Sequence, residues 1–163
     1  MIDTRIGQAP LAEFIDRRLL PAGTLGELSG DTYLAQADWF GSGLERRVAA
    51  AWRTPLSALT CGQARVLVGQ RLGLQWLARP VAAFVRAYPQ AECDLYEGDL
   101  TIASLCALDE FLTFAPDETV LMVHADFGWI ERELTEDPDL RLAARALGAL
   151  TAVRDSLGAL ETT

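Results

Sequence analysis

His124 is the only histidine in this 163-residue chain. Imidazole is the one side chain whose ordinary pKa lies near neutrality, so general-base chemistry at pH 7 would fall to His124. Asp117, His124 and Glu131 recur every seven residues, which on one continuous helix lines them up as a two-carboxylate, one-imidazole metal set. Distance argues against it: fourteen residues of helix cover ~20 Å, too far for one ion to touch both carboxylates. The stripe reads as a solvated face or a capped histidine. Cys61, Cys93 and Cys106 form no Cys-x-x-Cys pair, are odd in number and lie near no nucleophile elbow, so they read as small, reduced, mostly buried thiols. The glycines at 41 and 43, and at 69 and 73, follow no strand and lack the Lys-Ser or Lys-Thr that completes a phosphate loop. No catalytic residue, cofactor or metal ligand is assigned. The enzyme reading that stays open is a small His124/carboxylate hydrolase.

The carboxylates are more distinctive. Glu92, Asp94, Glu97 and Asp99 crowd around Tyr96, and Glu131, Glu133, Glu136, Asp137 and Asp139 form a second group. The first can meet cationic side chains of a partner, with the aromatic ring as anchor, or can merely solvate a loop with Asp99 spent on a helix cap. The second has a local explanation in the helix amides that Asp137 and Asp139 neutralise. Fourteen basic residues, all Arg, face 23 acidic ones for a net charge of −9, which disfavours a nucleic-acid footprint and favours basic partners. Of the tryptophans, Trp52 belongs in the core, whereas Trp76 and Trp129 fall at the margins of their helices.

The elements that must carry these residues are helices. Apolar residues recur three and four apart, and strand-like alternation is hard to find. An all-α single domain of about six to eight helices is expected, since 163 residues with half of them hydrophobic suit one core. Residues 10–20 make a first short helix, and 22–42 are irregular, with a turn or two of helix at 32–40. Ser42 caps a helix over 43–53 that faces Leu44, Val48, Ala51 and Trp52 inward. Thr60 and Gln63 are spaced as a capping box that opens the next helix. Gly73 breaks the chain, so that Gly69 and Gly73 mark a turn before a helix over 74–88, with Pro80 as a kink or restart. Asp99 caps a central helix over 100–108, 109–114 adds a turn, and Pro116 starts a helix running to about Leu134. Asp137 and Pro138 open a last helix whose stripe includes Leu150, Leu157 and Leu160. The N-terminus has no signal-peptide core, and no apolar run reaches the ~18 residues of a membrane helix.

Three local patterns carry a resemblance. They are Pro55-Leu56 with Leu59; Leu67-Val68-Gly69-Gln70 with Gly73-Leu74 and Leu77; and Asp94-Leu95-Tyr96-Glu97-Gly98-Asp99-Leu100. Together they resemble the immunity proteins of bacterial contact-dependent growth inhibition systems, over about a third of the chain within residues 53–108. The sequence departs from the family pattern at Pro80 and Trp76, and beyond Phe114 no counterpart is matched. The resemblance implies a cytoplasmic binder, not an enzyme, that neutralises the cognate toxin C-terminal domain of a secreted effector by stoichiometric occlusion. A basic nuclease is the toxin expected. It further implies that Gly69, Gln70, Gly73, Gly98 and Asp99 hold the scaffold. The expected toxin contacts are Glu92, Asp94, Tyr96, Glu97 and Trp76. No nucleic acid, membrane or cofactor is expected as partner, and the free chain is expected as a monomer or weak dimer. A further alternative is an oligomeric helical adaptor that pairs through Leu150 and Leu157.

Overall fold

The computed structural model describes residues 5–31 and 41–162. Among them the chain is all-α, with nine α-helices, no strand and one contiguous apolar core. The helices are α1 (Leu25–Ser29), α2 (Gly43–Trp52), α3 (Cys61–Gly69), α4 (Leu74–Ala87), α5 (Asp99–Cys106), α6 (Leu108–Phe114), α7 (Pro116–Val123), α8 (Gly128–Glu136) and α9 (Arg141–Glu161). The expected helical turn over 32–40, with Trp39, lies outside the described residues.

Several helix starts follow the local chemistry. Ser42 accepts a hydrogen bond from the Glu45 amide, and Thr60 with Gln63 closes a reciprocal capping box. Gly73 stands at φ +70° between α3 and α4, so the turn expected at 69–73 is present. Helix α5 sits centrally, packed most extensively on α9 and α3, while α4 lies against α6 and α7.

Four expectations change. Residues 10–20 form two 3-10 turns, Leu11–Glu13 and Arg17–Leu19, instead of a helix. Asp16 bonds the Arg18 amide and guanidinium, giving the backbone a local alternative, and the Leu11 amide is taken by the Leu59 carbonyl. Leu44 is exposed, not inward, because α2 turns Val48, Ala51 and Trp52 to the core. Of the kink and the restart expected at Pro80, the restart is absent: α4 runs through it with the ring buried. The helix expected over 116–134 is two: Asp126 accepts the Gly128 amide in an Asx turn, and Arg154 of α9 donates to the carbonyls of Val123 and Ala125 at 2.8 Å each. With the short α1, that division brings the count to nine α-helices among the described residues.

No described helix is long and apolar enough to cross a membrane. The adaptor's Leu150 is fully buried inside the chain by the packing of α9 on α5. Further along the same stripe Leu157 is half-buried and Leu160 is exposed at 75%.

Candidate functional site

The acidic segment 92–99 connects α4 to α5, and its shape is set by Asp99. Asp99 was expected as the cap of a helix beginning at Leu100. Instead Gly98, at φ +79°, precedes the helix and Asp99 is its first residue. The fully buried Asp99 carboxylate turns back into the loop. Oδ1 accepts the amides of Cys93 at 3.0 Å and Leu100 at 2.8 Å; Oδ2 accepts those of Asp94 at 2.9 Å and Leu95 at 2.7 Å. A carboxylate holding several amides from one short segment works as a template for that segment's backbone. Two backbone contacts brace the loop: the Ile6 amide of the N-terminal segment donates to the Glu92 carbonyl, and the Gly98 amide closes the base of the loop on the Ala91 carbonyl.

Trp129 of α8 closes over the inner side. Its ring lies so near Gly98 that a Cβ there would overlap it, which adds a steric demand for glycine to that of the positive φ. Trp129, expected at a margin, is therefore buried, at 5% exposure.

What the loop shows to solvent differs from what its composition suggests. Asp94 pairs with Arg47 at 2.6 Å, and Glu92 with Arg5 at 3.3 Å. These pairs line a groove of about 590 Å3 between the N-terminal segment, α2, the start of α3 and the loop, where Gln63 also stands. Half of the expected acidic patch is thus neutralised within the chain. Glu97 instead approaches α8: burial first, then the charges of Glu97 and Glu136, push the Glu133 carboxyl above its ordinary range. The two acidic clusters of the sequence therefore meet, through Glu97 on one side and Glu133 and Glu136 on the other. Beside them project Leu95 at 62% and Tyr96 at 40% exposure.

Trp76 stands on α4, not on the loop. It is half-buried in the first turn of α4, eleven residues before the end of that helix, hence ~16 Å along the axis from the loop that follows. The scaffold glycines have distinct reasons. Gly73 takes a left-handed conformation against Leu25 and Trp52, and Gly69 leaves space for the Arg65 guanidinium. Gln70 is the exposed C-cap of α3.

The residues weighed for catalysis are dispersed. His124 is exposed at the C-cap of α7, and Asp117 and Glu131 stand on separate helices to either side of the break. The Cys93 thiol is held up in its neutral form by its contact with Cys61 and by burial, and burial raises Cys106 as well. Protonated thiols are poor nucleophiles.

Arg5, Arg47, Trp129 and Glu133 were not legible as members of the site. Arg47 lies 47 residues from its partner Asp94, a separation over which no spacing rule operates. The Gly98-Asp99 pair was the available signal, because a glycine followed by a buried-type acid at a helix start indicates a constrained turn. No family model, no curated protein and no solved structure matches the chain.

Proposed function

We propose that this chain is an immunity protein that binds the toxin C-terminal domain of a contact-dependent growth inhibition effector in the cytoplasm, and neutralises it by occlusion without chemistry of its own. The observation that carries the reading is the Leu95-Tyr96 pair, exposed on a loop that a buried carboxylate holds rigid. A preformed apolar anchor loses little conformational entropy on docking, and aromatic residues beside an apolar neighbour are the usual energetic centres of interfaces. Glu97, Glu133 and Glu136 supply negative potential on one flank. That potential suits a basic partner such as a nuclease domain, whose substrate-binding cleft must be cationic. The paired Glu92 and Asp94 contribute shape more than field.

The test is co-expression with the toxin domain encoded immediately upstream. A 1:1 complex and protection of the cell are expected. Tyr96→Ala should weaken the complex, and Glu97→Arg combined with Glu133→Arg should slow association and flatten its dependence on salt. Protection retained in full by the triple variant would refute this surface, and absence of any complex would refute the reading.

A further inference from the structure

We infer that the cavity of about 280 Å3 walled by Arg65, Arg71, Arg145, Gln70 and Tyr96 is a binding site for a small phosphate-bearing anion. In a chain of net charge −9, the meeting of three guanidinium groups, two from α3 and its closing turn and one from α9, is not explained by general surface composition. Their convergence is visible at Cys106 on the cavity wall, whose thiol feels all three arginines.

Each arginine is held toward the cavity by a distinct device. Arg65 lies along α3 with its Nε buried and without a hydrogen-bond acceptor. Its nearest carboxylate, Asp99, is 3.8 Å away and already accepts four amides. Gly69 keeps the space that the Arg65 head occupies. Arg71 closes α3 in a Schellman motif: its amide donates to the Val68 carbonyl and that of Leu72 to Leu67. It does so at φ +54°, where glycine is the usual residue. The side chain gained at that position donates to the Cys106 carbonyl at 2.6 Å and to Asp109 and Glu110 at 3.1 and 3.0 Å, which fixes it beside the opening. Arg145 of α9 has no carboxylate partner among the described residues.

A carboxylate offers two oxygens. Arg71 spends its guanidinium on Cys106, Asp109 and Glu110, but the Arg65 and Arg145 forks with a phenol and an amide still present more donors than one carboxylate can use, whereas the terminal oxygens of a phosphate group can engage them together. The volume, just below the ~300–1,000 Å3 of ligand clefts, selects a small species. Recognition here would come from side chains, unlike the backbone cradle of a phosphate loop, and it does not rest on toxin binding.

The experiment uses the full chain alone, so it can fail or succeed independently of any partner. Its thermal midpoint is followed against inorganic phosphate, glycerol 3-phosphate and acetate at constant pH and ionic strength. A saturable rise is expected with a phosphate probe, distinct from the non-saturating effect of excluded salts. Glycerol 3-phosphate as the tighter probe would assign a phosphomonoester; inorganic phosphate as the tighter one, the free ion. Arg145→Gln, at an exposed position, should weaken the apparent affinity by about tenfold or more. Gly69→Ala, which displaces the Arg65 head, should weaken it too. No saturable rise, an equal rise in Arg145→Gln, or equal affinity for acetate would overturn the assignment.

Discussion

Asp99→Asn is the most direct challenge to the loop's construction. The substitution keeps size and shape but turns one carboxylate oxygen into an NH2 group. Whichever oxygen is replaced, two of the four amides among Cys93, Asp94, Leu95 and Leu100 then face a donor instead of an acceptor. A hydrogen bond to a charged group contributes ~1.5–3 kcal/mol, so two lost bonds amount to roughly 3–6 kcal/mol. The Arg65 guanidinium, with a side chain only 15% exposed, loses its nearby counter-charge in addition. Against the ~5–15 kcal/mol of a typical domain this is a large fraction. It corresponds to a fall of about 6 to 24 °C in Tm for a chain of this size. Urea unfolding gives the total, and amide exchange locates it: protection should be lost first at residues 93–95. A loss below ~1 kcal/mol, with those amides still protected, would show that the carboxylate does not template the loop.

Three further outcomes follow from the same geometry. Gly98→Ala must place a methyl group at φ +79° against the Trp129 ring; the left-handed backbone contributes ~1–2 kcal/mol and overpacking ~1–3, so a loss of roughly 2–5 kcal/mol is expected in urea unfolding. Leu150→Glu introduces a charge at a fully buried site, and should abolish cooperative unfolding of the monomer; a folded monomer obtained from a formerly dimeric protein would instead favour the adaptor. Glu133 titrates above its ordinary range in the folded chain, through burial and then Glu97 and Glu136. Its ionised form is thus destabilising: the penalty is absent below the unfolded pKa and fully present above the raised folded one. Glu133→Gln should therefore stabilise the protein at neutral pH, with the gain disappearing as pH falls through that window. A gain independent of pH would point to a cause other than charge.

Sequence periodicity and capping chemistry disclose the helical class, the starts of α2 and α3 and the turn at Gly73, because each depends on residues within four positions of one another. They do not disclose the division of α7 from α8. The Asp126-x-Gly128 Asx turn is a local hint, but the carbonyls freed there are satisfied by Arg154, 31 and 29 residues away. The same limit applies at the site. Four acidic residues around an aromatic indicate a loop that matters, yet their fates diverge for reasons that only tertiary structure supplies. Asp99 is buried by the amides it gathers, Asp94 is paired by α2, Glu92 by the N-terminal segment, and Glu97 is carried to α8 by the packing of Trp129 on Gly98.

The result is a boundary at Tyr96. Its phenol is raised by burial and pulled the other way by the neighbouring Arg65, while the adjacent Glu97 belongs to the negative edge shared with α8. One aromatic ring thus separates an arginine-walled cavity from an acidic rim. If the proposed basic partner docks on this ring, it is drawn toward the Glu97 side and meets on the other Arg145, which has no carboxylate partner among the described residues, beside the paired Arg65 and Arg71. For that proposed partner, a rotated or shifted approach would bring like charges together, which would favour one register of docking. The total of −9 carries no such information. Orientation arises because the chain spends some acids on internal pairs and concentrates arginines behind the ring, leaving a field with a direction as well as a sign.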